Sequence, residues 1–588
     1  MKHGINHIHV MTCLKMMLLT AMILAGCKSS EYAELPVAVD QNFSKSSLSS
    51  PDAVMKQEEY LTQHTTRYGE LSWREDTSPF SFTQFFYGNW AGHYVWRDQY
   101  AMKLITEKTG VRIDRKLSAG SDEDDLNMMI STGELPDTIM VDWNSPAVAK
   151  LIDGGLVYSM NELINRFAPG FWNILDPDMV KYHAKNGLLW YLPNVYEQEN
   201  RLKEGKPVIS IRPWFIRRDI YEQLGKPKLE TVEDLKNILT DIKQQGYARY
   251  PLALDFFDVA KNGFSGSLSL DYLIYTFAPY LQEERIIVEE KKILYPMRHS
   301  GFIEAFRFVN RLYREELLDP KFLIAKQVQY EEGMYRAEYA VASQFLNGMY
   351  SQFNPTIGTA LGKEKTYLVL DGLKAGDRIL RFPASRLLGW QGFFITKKAK
   401  NPERIIRFAE YAWSDEGQLD FLYGKEGETF TMESGLPRYV PEVRELMNKD
   451  YLEWQQQYGF GASTLLWRDS PMLNKAELRE MILSRPDEYN ASMKLSRFGY
   501  DDYPLGMSNL EPEGSSREGV INANIKELWN KAILHLIMAA SDAEFDNTYK
   551  TFIDMMDAAG AQEVERAMYQ NHLQDLAKKG ITAVDLPF

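Results

Sequence analysis

Cysteine is almost absent from this chain: its 588 residues carry two, Cys13 and Cys27. Long apolar runs are as scarce. Met16 to Leu24 is nearly all apolar and follows a start that holds Lys2 and Lys15 but no acid; later stretches are all broken by charge. A bilayer takes about 20 apolar residues to cross, so this run reads as the core of a signal segment that is cut off, and no second span is expected. Leu24-Ala25-Gly26-Cys27 closes it. That pattern predicts diacylglycerol on the Cys27 thiol and cleavage before it, leaving residues 1–26 behind and anchoring the rest at roughly 0.8 kcal/mol per buried CH2. With Cys13 removed and Cys27 lipidated, no internal disulfide is possible. Stability must come from packing.

Positive charge is also in short supply, with 67 Lys and Arg against 81 Asp and Glu. Cleavage would take away two lysines and no acid, leaving 65 against 81. Such a surface repels nucleic acid and anionic headgroups, which excludes a nucleic-acid partner.

Catalytic motifs are missing too. Gly263-Phe264-Ser265-Gly266-Ser267 breaks the G-x-S-x-G pattern, and no H-E-x-x-H occurs. Gly459-Phe460-Gly461 lacks the third glycine of a nucleotide loop. His64, His93, His183, His299, His535 and His572 are far apart, so a histidine metal site would need assembly from distant segments. Asp122-Glu123-Asp124-Asp125 lacks the spacing and central glycine of a calcium loop and reads as a charged helix start. No catalytic residue, cofactor or metal is predicted. Carboxylate pairs abound, and sequence cannot place two at glycosidase separation.

What is present divides the chain. Residues 27–65 are rich in serine and read as a flexible tether that holds the body on the order of 30 Å from the lipid. The remainder exceeds the roughly 250 to 300 residues at which one core stops growing, so two lobes are expected. In the first, strands at Phe80 to Tyr87, Val111 to Ile113 and Leu135 to Val141 alternate with helices at Asp98 to Thr109, Asp124 to Ser131 and Ser145 to Ile152. This alternation predicts a mostly parallel sheet. In the second, strands at Val208 to Ile216, Tyr250 to Leu254 and Tyr339 to Phe345 flank helices at Thr231 to Gln244, Leu270 to Ala278, Phe302 to Glu315 and Tyr330 to Glu338. Thr231 with Asp234 three residues on forms a capping box. A strand at Leu388 to Thr396, helices at Pro402 to Trp413 and Glu416 to Leu422, and a helical region from about Val520 to Lys579 complete an α/β chain.

Four segments in order then resemble a known family. Leu126-Asn127-Met128-Met129-Ile130-Ser131-Thr132-Gly133-Glu134-Leu135-Pro136-Asp137 is similar to the L-N-x-M-I-A-S-G-D-L-P-D segment of extracellular solute-binding proteins of ABC importers, most of all the long Gram-positive lipoproteins of oligosaccharide uptake. Trp214-Phe215-Ile216-Arg217-Arg218-Asp219 with Leu224-Gly225, Trp413 to Gln418 with Tyr423 to Gly427, and the spacing of Phe545, Tyr549, Phe552, Met556, Gly560 and Tyr569 agree with further segments of that family. The resemblance implies a periplasmic-binding-protein-like (type II) two-lobed clamp with hinge crossings and a helical C-terminal region. Its first lobe would hold residues 66–208 and 388–437, its second 214–380 and 438–588, with crossings near Ser210 to Pro213 and Arg381 to Gly389.

A sugar cleft needs flat apolar faces against C–H surfaces and planar polar groups for hydroxyls. Asn89 and Trp90 end the first strand, where the family tends to place ligand contacts. Asp142 and Trp143 follow the third strand, at the carboxyl end of a parallel sheet where sites form. Arg212 and Trp214 stand at the first crossing; arginine suits hydroxyls or a carboxylate. Asp255 and Phe256 follow a second-lobe strand, Gln344 ends another and can donate and accept together, and Trp390 lies beside the interlobe strand. For each, core packing, capping or a hinge ion pair is the competing reading.

The resemblance implies a monomeric receptor, lipid-anchored on the extracellular face of the cell membrane, that captures an oligosaccharide and delivers it to permease subunits. Two alternatives stay open: a sensor of the same fold that feeds a membrane kinase, and a lipid-anchored polysaccharide hydrolase.

Overall fold

The computed structural model describes residues 71–581, apart from 88–95, 118–121, 144, 186, 197–211, 255–267, 282–285, 289–291, 324, 326, 385–387, 462–466, 469, 502–509 and 515. Cys27 and the tether lie outside the described residues. Strand β1 (Phe80–Phe86) is dominated by phenylalanine and buries Phe82, Phe85 and Phe86, as a strand covered on both faces requires. Helix α1 (Tyr100–Thr109) turns Ala101, Met102, Ile105 and Thr109 inward. It stops at Gly110, where φ is 73° and a Cβ would come within 2.2 Å of the Thr77 carbonyl oxygen. Only glycine fits there.

The alternation continues through β2 (Val111–Leu117), α2 (Asp122–Thr132), β3 (Thr138–Asp142), α3 (Pro146–Asp153) and α4 (Pro177–His183), with β1 parallel to β2 and β3. Short strands β4 (Leu192–Pro193) and β5 (Val195–Tyr196) lead out of this lobe. A second sheet follows from β6 (Trp214–Arg217), β7 (Leu252–Ala253), β8 (Val341–Ser343) and β9 (Tyr367–Val369), in the order β9-β6-β8-β7. Helices α5 (Val232–Gln244) and α6 (Ser300–Arg314) pack around it. The capping box at α5 forms as expected: Thr231 Oγ1 accepts from Asp234 N at 3.0 Å, and Asp234 Oδ2 accepts from Thr231 N at 2.9 Å. Between β8 and β9 runs a crossover helix made of Leu346–Gly348, the π-helix Met349–Phe353 and Asn354–Leu361.

Then β10 (Gln391–Ile395) returns to the first sheet, antiparallel to both β3 and β4, giving the order β2-β1-β3-β10-β4. The first sheet is parallel through β2, β1 and β3, as the alternation predicts, and becomes mixed only where β10 enters against its neighbours. Its last strand comes back from the other lobe instead of through a local right-handed crossover, so nothing fixes it parallel. Helices α7 (Pro402–Trp413), α8 (Asp415–Leu422), α9 (Pro441–Lys449) and α10 (Tyr451–Tyr458) cover this lobe, and α11 (Pro471–Ser484) and α12 (Pro486–Ser496) lead away from it. The chain ends in α13 (Arg517–Met538), α14 (Asp542–Ala559) and α15 (Ala561–Lys578).

Two main cores result, one under each sheet. The first joins Phe82 and Phe86 to Phe393, Phe408 and Trp413; the second joins Phe215 and Ile216 to Phe302 and Phe306 and to Trp529 of α13. Val443, Met447, Trp454 and Phe460 belong to the first core, beyond residue 437 at which the sequence reading ends that lobe. Lys185, just after α4, pairs with Asp153 at 3.7 Å and with Glu513 ahead of α13 at 3.5 Å, so the C-terminal region touches the first lobe beside the end of β3.

Candidate functional site

The carboxyl ends of β1 and β3 and the start of β10 meet at one edge of the first sheet. Gln391 pairs opposite Asp142, and Tyr87 N donates to Met140 O at 2.9 Å. Buried Gln391 donates from Nε2 to Tyr87 O at 2.6 Å. Asn194 Oδ1 accepts from Trp390 N at 3.0 Å and Gln391 N at 3.1 Å, while Asn194 N donates to Gln391 O at 2.8 Å. Trp143 N donates to Trp390 O at 3.3 Å. This closeness depends on Gly389, at φ 85°: a Cβ there would lie 2.5 Å from Val195 O, 2.8 Å from Asn194 Oδ1 and 3.1 Å from the Trp143 ring. A buried hydrogen-bond network thus sets the backbone under two indoles.

Those indoles differ in freedom. Trp143 is half-buried, stacked on Tyr191 with centroids 5.7 Å apart and planes at 21°, and edge-on to His183 at 4.8 Å. His183 Nδ1 in turn lies 3.2 Å from the Tyr191 hydroxyl. Burial first, and then the nearby Asp142 carboxylate, push the Tyr191 phenol far above its usual range, so it stays neutral. Trp390 is 44% exposed. A pinned ring, an open ring and a half-buried carboxylate at Asp142 stand on one edge, which is what stacking on a sugar face and accepting from its hydroxyls require.

On the second sheet, the start of β6 and the end of β8 share an edge, since Ser343 pairs with Trp214. Arg212 lies just before it, its guanidinium 5.1 Å from the centroid of the exposed Phe345 ring and its carbonyl oxygen 3.4 Å from Ser343 Oγ. Gln344 is nearly buried, and its Oε1 accepts from Phe345 N at 2.9 Å, which occupies that acceptor locally. Trp214 corrects the sequence expectation. It is fully buried and its Nε1 donates to Ser269 O at 2.7 Å, so neither face nor N–H is available to a ligand.

Asp142, Trp143 and Trp390 are brought together on the first lobe, and Arg212 and Gln344 on the second. Asn89, Trp90, Asp255 and Phe256 lie outside the described residues. Sequence reasoning missed Tyr191, His183, Asn194, Gln391 and Phe345. Gln391 carried a signal, because it follows Trp390 at the start of an expected strand, whereas Tyr191 and His183 become relevant only through contacts with Trp143. Among the described residues, no group of three His, Cys, Asp or Glu side chains is placed to hold a metal ion, and no helix is long and apolar enough to cross a membrane.

No family model matches the chain. It is 23% identical over 224 residues to the fructooligosaccharide ABC transporter substrate-binding protein FusA of Streptococcus pneumoniae, an alignment that takes in 37% of this chain and 41% of that protein. The chain therefore matches less than half the length of this curated relative. Among solved structures, the S. pneumoniae FusA EF-hand mutant in complex with fructo-nystose superposes with a TM-score of 0.62 at 15% identity, covering 85% of this chain and all of that one. An HMO-binding, ABC-transporter-associated solute-binding protein from Bifidobacterium longum infantis superposes at 0.57 with 13% identity, over 84% of this chain and 99% of that one. The chain has the two-lobed α/β fold of these solute-binding proteins.

Proposed function

We propose that this chain is the solute-binding component of an ABC importer, and that it captures an oligosaccharide between its lobes and passes it to permease subunits. The observation that carries the reading is the aromatic edge where Trp143 and Trp390 stand beside Asp142, on a fold shared with carbohydrate-binding solute receptors. Arg212 and Phe345 supply a second cationic and aromatic edge for closure. Hinged lobes that close on a ligand bury it from both sides. The role is binding without turnover. Lipidation at Cys27 anchors the receptor on the extracellular face of the membrane, and the serine-rich tether lets it reach its permease.

A thermal-shift screen over a glycan panel tests this. A ligand at 100 times its dissociation constant stabilises by about 2.7 kcal/mol, so a bound oligosaccharide raises the melting temperature measurably. If peptides shift the transition and no carbohydrate does, the sugar reading fails. If a labelled glycan comes back shortened after incubation, the receptor reading gives way to the hydrolase.

A further inference from the structure

The C-terminal helices are built into the second lobe. Trp529 of α13 packs against Phe302 and Phe306 of α6, and Asn310 Nδ2, also on α6, donates to Ile537 O at 2.9 Å and Ala539 O at 2.7 Å. The Tyr295 hydroxyl donates to Asn522 Oδ1 at 2.7 Å, and Arg298 Nε to Glu565 Oε1 of α15 at 2.6 Å. Buried packing joined by such a network makes α13 to α15 move with that lobe. The same region nevertheless reaches the first lobe at three places. Lys579, directly after α15, sets its ammonium 5.8 Å from the centroid of the Tyr182 ring in α4. Glu513, ahead of α13, pairs with Lys185 at 3.5 Å. Gly514 lies beside Pro146 at the start of α3, since a Cβ on it would stand 3.8 Å from Pro146 Cβ.

All three landing points adjoin Trp143. Pro146 follows it by three positions. Tyr182 and Lys185 flank His183, whose ring meets Trp143 edge-on at 4.8 Å; Tyr182 meets His183 edge-on at the same 4.8 Å. A row of packed rings therefore runs from Lys579 through Tyr182 and His183 to Trp143. Its outer end is sheltered from water. The Lys579 side chain is 1% exposed, and its Nζ donates to Asp575 Oδ2 at 2.8 Å. A buried ammonium is costly unless its charge is answered, and here Asp575 answers it from its own segment while the face of Tyr182 does so from the other lobe. A cation over a ring gains more out of water than at an exposed site. This contact therefore carries the coupling, and the half-exposed Lys185–Glu513 pair adds little to it.

We infer that the C-terminal region is a strut of the second lobe that holds the Trp143 edge of the first in place, with Tyr182 and Lys579 as positioning residues that act through His183. The inference rests on the reading of Trp143 as part of a ligand platform and adds what governs that platform. Because the two ends of the strut belong to different lobes, a change of lobe angle that lifts α15 from α4 takes support from His183 and so from the indole. The platform is complete only while the lobes keep this relation, which links its affinity to lobe position. Mere glue between the lobes would behave differently: it would change the melting temperature and leave the surroundings of Trp143 as they are.

The test uses the purified full chain carrying Tyr182→Leu, or Lys579→Gln together with Asp575→Asn, which removes both charges of the buried pair so that neither is stranded. Lys579→Arg keeps a cation beside the ring and serves as the rescue. Hydrogen exchange read by mass spectrometry needs no ligand. Peptides covering residues 142–153 and 180–191 are expected to exchange roughly fivefold faster in both disruptive proteins, and at wild-type rates in Lys579→Arg, while peptides from β6 and α6 keep their rates. The near-UV circular dichroism of Trp143, taken as the difference between each protein and its Trp143→Phe counterpart, should shrink in the same two proteins. Binding is then measured with a fructooligosaccharide series. The dissociation constant is expected to rise about fivefold or more in the disruptive proteins, and Tyr182→Leu should add little once Trp143 is already Ala. Wild-type exchange at 142–153 with unchanged Trp143 dichroism overturns the strut. Uniformly faster exchange in both lobes does so too, because it reports lost stability rather than a lost support, as does an equal effect of Tyr182→Leu with and without Trp143. If no glycan binds the wild type while exchange and dichroism change as expected, the receptor reading fails and the support of Trp143 stands. If glycans bind and the surroundings of Trp143 do not respond, the strut alone fails.

Discussion

Asp137 and Thr83 fasten the first sheet together. The Asp137 carboxylate accepts from Thr83 N at 2.8 Å and from Thr83 Oγ1 at 2.7 Å, and Thr83 Oγ1 accepts in return from Asp137 N at 3.0 Å. The other Asp137 oxygen accepts from Lys400 N at 2.9 Å, and the Asp137 carbonyl from Thr396 N at 3.0 Å. One side chain in the Leu135-Pro136-Asp137 segment therefore joins β1, β3 and the turn that follows β10.

Replacing it should be costly. Asp137→Ala leaves a buried network without its acceptor, at about 1–3 kcal/mol for each unsatisfied donor, so denaturant titration should show a loss of roughly 2–4 kcal/mol. The pH dependence has a definite sign. Burial raises the Asp137 pKa, but the hydrogen bonds from Thr83 and Lys400 outweigh it and hold the group below its ordinary 3.8. Because the folded value is depressed, this stabilisation is present above the unfolded pKa and is lost as pH falls through the folded one. Wild-type stability should decline below about pH 4 more steeply than that of Asp137→Asn; equal slopes would remove Asp137 as a source.

Trp214 makes the opposite kind of test. Its position at a lobe crossing, after Arg212-Pro213, suggested a ligand contact, yet it is core. Trp214→Ala should cost about 3–5 kcal/mol by the large-to-small rule. Trp214→Phe keeps most of the volume but loses the hydrogen bond from Nε1 to the Ser269 carbonyl, costing about 1 kcal/mol. Neither should alter sugar affinity in protein that remains folded, measured by calorimetry.

Glu410 holds the start of the folded body. It is fully buried and accepts from Ser72 Oγ at 2.8 Å and Trp73 N at 2.9 Å. Glu410→Ala leaves both donors unmatched and opens a void, so a loss of about 2–4 kcal/mol is expected. Earlier protease cleavage near residues 71–76 should accompany it, read by mass spectrometry of limited digests. Unchanged cleavage there would mean that Ser72–Glu75 is held by other contacts.

How much of this was legible follows from where each signal lies. The box at Thr231 and Asp234, the stop at Gly110 and the phenylalanine run of β1 are local, and the structure keeps them within a few residues of the reading. Trp214 was misread because its burial depends on Ser269, 55 positions away. Helices α9 to α12 were not read at all. Tyr451-Leu452-Glu453-Trp454-Gln455-Gln456-Gln457-Tyr458 has no clean apolar stripe, since its rings are buried against Tyr439 and Phe460 in a first-lobe core that draws on residues far back in the chain. The direction of β10 is set by a return from the other lobe, which no window of sequence encodes.

Trp390 and Trp143 separate binding from stability. With 44% of its surface exposed and its backbone held by Asn194, Trp390→Ala should change stability by about 0.5 kcal/mol or less, in the range of surface substitutions. If a sugar face stacks there, its affinity should fall at least tenfold, which is about 1.4 kcal/mol. Trp143→Ala removes a ring that packs on both Tyr191 and His183, so it should lose affinity and roughly 1–2 kcal/mol of stability together. Calorimetry and thermal melts on the same samples distinguish the two. A Trp390→Ala protein that binds every glycan as tightly as the wild type would leave the first-lobe edge without a role in recognition, and the search for the ligand's aromatic platform would move to the second lobe, where Phe345 lies under Arg212.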